Sequence, residues 1–241
     1  MEGEWFREWF GPLYEELYSH RDPDEAARQV ASLLSWTGVP DQPVLDAGCG
    51  AGRHLLQLRR SGCRCLGMDL SGHLLSRALE SGAGPVFRAD LRHPPFRPGS
   101  FGMVAGFFSV FGYLDTPVQD VELFRSLADL VAENGWFFLD LPNPFHVRAN
   151  LVACDERRVG DLRVYQSRAI EGDQVVKRIC VDRGDGSPVE QYFERVRLWE
   201  LQPLDRIASD AGLRRVAVLG DSDGREAAPG SPRMAVLWRR A

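Results

Sequence analysis

Lysine is almost missing from this chain. Lys177 stands alone against 28 arginines. The bias points to a GC-rich genome. Basic charge as a whole is also in deficit: 29 basic residues face 34 acidic ones, for a net charge of −5. That balance argues against a nucleic-acid substrate, which draws on a positive footprint to meet phosphates. No apolar run approaches the ~18 residues that a membrane-crossing helix needs, so no membrane is expected. The opening residues, MEGEWFREWF, are acidic and aromatic, not basic and then apolar as in a secretory signal. Five cysteines, at 49, 63, 65, 154 and 180, form neither a disulfide framework nor a metal-ligand spacing. A reducing cytoplasm fits them. Cys63 and Cys65 lie two apart in a predicted strand and share a face. Two ligands do not make a metal site, and none is expected.

What is present begins at residues 44–54, VLDAGCGAGRH. An apolar strand ends in Asp46 and Ala47. Gly48, Gly50 and Gly52 follow at alternate positions, and then a helix begins. Glycines at this spacing allow a tight turn and a close ligand approach. The dinucleotide fingerprint G-x-G-x-x-G does not fit, because Arg53 stands where its third glycine belongs. Asp46 would also repel a pyrophosphate, whereas it suits a cofactor carrying a cation such as an ammonium. D-x-G-x-G-x-G after an apolar strand resembles the first motif of the class I S-adenosylmethionine-dependent methyltransferases.

Downstream segments keep register with that resemblance. Residues 63–71 read as a second strand ending in Asp69, followed by Leu70. Asp69 lies 23 residues after Asp46, about one strand–helix–strand unit, and an acid there can accept both ribose hydroxyls. Residues 85–96 carry a third strand ending in Asp90. The resemblance implies that Asp90 meets the adenine amino group, with the Leu91 backbone beside the ring. Residues 101–114 read as a fourth strand opening into an aromatic loop with Phe107, Phe108 and Tyr113, suited to a sulfonium. Residues 133–142 read as the fifth strand. Asp69 and Asp90 could each instead cap the following helix or turn. Arg53 is either a solvated first-turn residue or a partner for the cofactor's carboxylate. Cys49, inside the loop, is a tolerated small residue and not a nucleophile.

The implied fold is α/β: a Rossmann-like, seven-stranded, mostly parallel sheet with helices on both faces, its last strand antiparallel, plus a small inserted antiparallel sheet. Residues 1–40 form a helical cap in this reading. Residues 41–142 and 200–241 form the core, and 143–199 form an inserted β lid. Helices are predicted over 5–18 (broken at Gly11-Pro12), 24–36, 54–61, 73–81, 116–132 and 203–211. In 116–132, residues Val118, Val121, Leu123, Phe124, Leu127, Leu130 and Val131 make one apolar stripe. Strands at 162–170, 174–181 and 189–199 are joined by Gly172-Asp173 and by the GDGS of 184–187. Two closing strands cover 213–221 and 233–240.

The chemistry implied by the resemblance is in-line displacement of a methyl group from S-adenosyl-L-methionine by an oxygen or nitrogen of a small molecule. His146, a few residues past strand five, is the first candidate base, with Tyr113 and His20 as runners-up. Tyr14, Tyr18, His20 and Phe108 are expected at the substrate or lid. The N-P-P-Y loop of amino-methyltransferases acting on bases or amides is missing; FFSVFGYL stands in its place. Asp140 and Asn143 are too few for a metal-dependent site. Alternatives are a methyltransferase acting on RNA or protein, a non-catalytic binder of a nucleoside cofactor, and a nicotinamide enzyme using the same crevice. Self-association through the inserted sheet stays open.

Overall fold

The computed structural model describes residues 4–18 and 23–241. Two short helices, α1 (Trp5–Trp9) and α2 (Pro12–Leu17), and the longer α3 (Pro23–Thr37) come first. Strands and helices then alternate: β1 (Val44–Ala47), α4 (Arg53–Arg60), β2 (Cys65–Asp69), α5 (Gly72–Glu80), β3 (Val86–Arg88), β4 (Phe101–Gly106), α6 (Pro117–Ala128) and β5 (Val131–Pro142). After α7 (Pro144–Ala149) come four consecutive strands: β6 (Cys154–Val159), β7 (Leu162–Glu171), β8 (Gln174–Asp182) and β9 (Glu190–Arg197). The chain closes with α8 (Leu201–Asp210), β10 (Leu213–Leu219) and β11 (Arg233–Arg240).

The large sheet has seven strands in the order β10-β11-β5-β4-β1-β2-β3. The pairs within β3-β2-β1-β4-β5 are parallel, whereas β11 runs antiparallel to both β5 and β10. Parallel strands covered on both faces are apolar throughout. Accordingly β1 and β4 are buried at every position. Two apolar clusters flank the sheet: one around Phe124, Phe137 and Trp238, the other around Val30, Leu33, Leu55 and Leu237.

The reading of α6 needs correction at its end. Thr116 caps it through a capping box with Gln119, and Pro117 opens it. The helix stops at Ala128 because the next backbone groups are recruited by the sheet. Gly99 N–H donates to the Asp129 carbonyl, Phe101 N–H donates to that of Leu130, and Val131 pairs with Phe101 in register. Leu130 is therefore in a turn and Val131 in β5. Val118 points to solvent rather than into the apolar stripe. The third strand is only three residues long, so Asp90 follows it by two. Cys63 precedes β2, and both it and Cys65 are buried in the same cluster.

The inserted sheet, β6-β7-β8-β9, is antiparallel throughout. Strand β6 was not foreseen: CDERRV is charged and half-exposed, and lacks an apolar alternation strong enough to read. One face of this sheet receives the first two helices. Trp5, Trp9, Leu13 and Leu17 pack with Leu162, Val164, Ile179 and Val181. Burial of side chains this size is worth about 1.5–3 kcal/mol each. The N-terminal helices thus dock on the insertion, not on the main sheet. The insertion is tied to the core at its exit. There the Arg197 guanidinium lies 3.2 Å from the Asp120 carboxylate, with both side chains buried, and its backbone N–H donates to the Gly112 carbonyl at 2.7 Å.

Candidate active site

Parallel β1 to β5 deliver their carboxyl ends to one rim, where open α/β sheets form their crevice. A cavity of about 550 Å³ opens there, within the range of small-molecule sites. Its walls include Gly48, Cys49, Gly50, Arg53 and His54 after β1, Asp69 and Leu70 after β2, and Asp90 and Leu91 after β3. Phe107, Phe108 and Tyr113 come from the loop after β4, and Phe6, Phe10, Tyr14 and Tyr18 from the first two helices.

Asp69 sits between two turns. Its Oδ2 accepts from Gly50 N–H at 2.8 Å and its Oδ1 from Ser71 N–H at 2.8 Å. Burial raises its pKa while those N–H groups oppose the rise. Asp90 is held by Arg92, whose Nε and Nη2 contact it at 3.0 and 2.6 Å, and by Arg7 of α1 at 3.2 Å. Those charged bonds, the Arg92 pair foremost, keep Asp90 below the ordinary carboxylate range.

Asp46 and Ala47 are not on the cavity wall. Both are buried in β1, beneath the glycine turn. Burial pushes the Asp46 carboxyl up to about 8, with the Asp69 charge adding to the rise and the Leu55 N–H opposing it. Among the described residues its Oδ2 has no hydrogen-bond partner. Two of the three strand-end acids therefore meet at the cavity and the third lies behind its floor. The physical reason is that residues 46 and 47 are still strand, buried on both faces of the sheet, and the turn begins at Gly48. That glycine has φ +74°, and a Cβ there would run into Val110, a protein side chain rather than a ligand. At Gly50, with φ +52°, a Cβ would meet only Leu74 at 3.7 Å. Gly50 is thus the member of the turn where an added Cβ has room.

His146, the first candidate base, does not line the cavity. It lies on α7, partly exposed and outside the cavity lining, and its Nδ1 faces the Gly230 carbonyl at 3.0 Å. Helix α7 turns away from the rim once Asn143 caps it by accepting from Phe145 N–H. His20 lies outside the described residues. Tyr113 does reach the cavity, within an aromatic group formed with Trp5, Phe6 and Phe10. Arg53 faces Glu25 at 3.5 Å and lies over the Phe108 ring at 5.5 Å. Cys49 is buried, and burial raises its thiol further from ionisation.

Sequence reasoning passed over a polar network behind the aromatic loop. His54 Nε2 lies 2.6 Å from Gln29 Oε1, and its ring stacks on Phe107 at 4.2 Å. Gln29 Nε2 reaches Asp140 Oδ2 at 3.4 Å. Asp140, 1% exposed, also accepts from Phe108 N–H at 3.1 Å and from Arg233 Nε at 2.7 Å. Arg233 Nη2 adds Ser109 Oγ and the Asp140 carbonyl, both at 3.1 Å. Phe108 and Ser109 have φ of +57° and +68°. Two successive non-glycine residues in that region are strained and persist only where surroundings hold them. The network supplies that hold. Its members lie 29, 54, 140 and 233 along the chain, so no local motif announced them.

A second hollow of about 480 Å³ adjoins the first. It shares Phe10, Tyr14, Tyr18, Phe108, Ser109 and Tyr113 with the first, and adds Trp5, Glu25, Glu194 and Val196. Contacts latch the covering helices to the rim. Ser71 Oγ donates to the Phe10 carbonyl at 2.6 Å, and Glu15 meets His73 and Arg77 at 2.8 and 2.7 Å.

Residues 44–135 match the methyltransferase domain family. A putative methyltransferase, YqeM, of Bacillus subtilis is 28% identical over 142 residues, covering 57% of this chain and 56% of that protein. The chain spans about half the length of that curated relative. Among solved structures, an S-adenosylmethionine-dependent methyltransferase from Clostridium acetobutylicum superposes with TM-score 0.77 at 15% identity, covering 95% and 96% of the two chains. The CcbJ methyltransferase from Streptomyces caelestis gives 0.76 at 20% identity, covering 92% and 98%. The sugar N-methyltransferase KedS8 from a Streptoalloteichus species gives 0.73 at 18% identity, covering 95% and 93%. Residues 44–135 thus carry a methyltransferase-domain match, and the strand order around them is set in a fold shared with these solved structures.

Proposed function

We propose that this protein moves a methyl group from S-adenosyl-L-methionine to an oxygen or nitrogen of a small molecule. The observation that carries this reading is the pair of adjoining hollows with a common aromatic wall. The residues of the first hollow fit the cofactor. Asp69 is aimed into it with oxygens suited to ribose hydroxyls, Asp90 and the Leu91 backbone edge the place for adenine, and Arg53 suits a carboxylate. Asp46, behind the floor, would act on the methionine end only through the turn it supports. The bound cofactor supplies a methyl on a sulfonium, and the protein's part is mainly position and orientation.

The second hollow is where the acceptor would lie. Helices α1 and α2 close it on one side and β9 on another, which limits it to molecules of modest size. We read residues 1–40 as a cap and 143–199 as a lid over that space. Its charged lining is two carboxylates, Glu25 and Glu194, which suits neither a phosphate backbone nor an acidic protein surface. Aromatic faces of Tyr14, Phe108 and Tyr113 are placed to border the sulfonium. In this arrangement α/β core residues hold the cofactor, while cap and insertion choose the acceptor.

Calorimetry with S-adenosylhomocysteine and with NAD, followed by transfer of labelled methyl from the cofactor to a panel of small amines and alcohols and to bulk RNA, tests the proposal. Binding of the homocysteine compound together with label on a small molecule is the expected result. Binding of NAD alone, or label on RNA only, would overturn it.

A further inference from the structure

The single lysine of an arginine-rich chain sits behind Tyr18, a residue that lines both hollows. Lys177, on β8, is 14% exposed at its side chain, and burial pushes its ammonium below the ordinary lysine range. Its Nζ donates to the hydroxyl oxygen of Tyr18 and lies 3.5 Å from Glu194 Oε2. The Tyr18 hydroxyl donates to Glu194 Oε1 at 3.3 Å, and Trp9 Nε1 fixes the same oxygen at 2.6 Å. Tyr18 lines both hollows, and Glu194 lines the second. A guanidinium presents a planar fork suited to carboxylates, whereas an ammonium is a compact charge that can sit on one phenol oxygen.

We propose that Tyr18, as a phenolate stabilised by Lys177, takes the proton from the methyl acceptor. The inference rests on the methyl-transfer reading above. In the step, the acceptor's O–H or N–H gives its proton to the Tyr18 oxygen. The freed electron pair forms the new bond to the methyl carbon. The carbon–sulfur bond breaks, and its pair stays on sulfur, which becomes a neutral thioether. Charge balances, because a phenolate and a sulfonium are both consumed. The proton then leaves through Glu194, which faces the second hollow.

Lys177 and Arg157 favour an ionised phenol at Tyr18, and Glu194, which accepts from its hydroxyl, opposes it. Lys177 lies on β8, Glu194 on β9, and Arg157, on β6, has its guanidinium 5.5 Å from the Tyr18 ring centroid while donating to the Leu17 carbonyl at 3.2 Å. Arg168, on β7, is near the ammonium but is paired with Asp155. Across the hollow, Glu25 is paired with Arg53. Two cations thus stand nearest the phenol against one carboxylate among the described residues, and a nearby positive charge lowers a phenol's pKa. Tyr192 is the opposite case. Burial, with its hydrogen bond to the Glu190 carboxylate, pushes it up to about 12.

The test needs no acceptor. The 241-residue chain is labelled with carbon-13 at Cζ of its five tyrosines, and the signals are followed by NMR against pH, with Tyr18→Phe assigning the residue. Tyr18 should ionise at least one pH unit below the exposed Tyr165, with Tyr192 last. Lys177→Met should raise the Tyr18 midpoint by a unit or more, and Lys177→Arg, which keeps a cation, should preserve most of the depression. A role in packing alone would not move that midpoint. Ionisation of Tyr18 with or above Tyr165 overturns the proposal, as does a midpoint indifferent to Lys177→Met. If Lys177→Met does not fold, the wild-type titration alone decides. S-adenosylhomocysteine calorimetry on the same sample separates the two ideas. Binding with an ordinary Tyr18 sinks only this proposal, and failure to bind sinks the methyl-transfer reading beneath it.

Discussion

Replacing Arg233 by Met should cost this protein about 2–4 kcal/mol of stability. The side chain is 22% exposed and Asp140 only 1%. Arg233→Met removes the 2.7 Å bond to Oδ1 and both contacts of Nη2, leaving a buried carboxylate with Phe108 N–H and the distant Gln29 amide as donors. Breaking one side of a buried pair costs about 3–5 kcal/mol. The partial exposure of the arginine screens the pair and reduces this to about 2–4 kcal/mol. At about 2–4 °C per kcal/mol for a chain this size, melting should fall by roughly 5–15 °C. The strained Phe108–Ser109 turn keeps its backbone bonds to Asp140 but loses the Arg233 contact to Ser109 Oγ, so affinity for S-adenosylhomocysteine should fall about tenfold, ~1.4 kcal/mol. The double variant Arg233→Met with Asp140→Asn should lose at least ~1.5 kcal/mol less than the sum of the single losses, because no unmatched charge is left and the amide oxygen still receives Phe108 N–H. Urea unfolding followed by tryptophan fluorescence gives the energies, and calorimetry the affinity. A loss below about 0.5 kcal/mol for Arg233→Met, or strict additivity in the double variant, would refute the reasoning.

Other changes have equally definite outcomes. In the folded chain Asp46 keeps its proton up to about 8, whereas an unfolded aspartate loses its proton near 4. The native state therefore holds the extra proton between those values, and its contribution to stability falls as pH rises from about 4 to 8. Asp46→Asn should flatten that decline in unfolding experiments, and a curve parallel to wild type would contradict the assignment. Asp69→Ala removes the acceptor for Gly50 and Ser71 N–H groups and should weaken S-adenosylhomocysteine binding by ~1–3 kcal/mol; unchanged calorimetry in a folded variant would count against its place at the ribose. Gly48→Ala forces a side chain onto φ +74° and against Val110, and should cost ~1–3 kcal/mol in chemical unfolding. Val110→Ala in the same chain should recover part of that loss and leave the backbone strain.

The parts of the fold that were legible in the sequence are those with short-range causes. Apolar runs closed by Asp46 and Asp69 mark strands because burial on both faces demands them. Gly172-Asp173 and Gly184–Gly186 mark turns because their backbone needs positive φ. The charged β6 is held by its pairing with β7, which no pattern within CDERRV displays. At the site, Asp69, Asp90 and the aromatic loop were visible from strand ends alone. Asp46 lies within β1 beneath the glycine turn, and His146 lies on α7 outside the lining of the first hollow, two placements that depend on where a strand or helix ends in space. The Gln29–His54–Asp140–Arg233 network and the Lys177–Tyr18–Glu194 group join residues distant along the chain, so three-dimensional closure was needed to bring them together.

Every residue lining the first hollow precedes position 124, whereas the second draws Glu194 and Val196 from the segment beyond β5. On the proposed reading, the acceptor's hollow is therefore built on the wall of the cofactor's, with the inserted stretch adding its far side. The Arg197–Asp120 tie makes the later stretch a fixed fitting. On the same reading, substitutions at β9 positions such as Val196 reshape the acceptor's hollow while Gly50, Asp69 and Asp90 stay as they are. A directed search for new acceptors should start there.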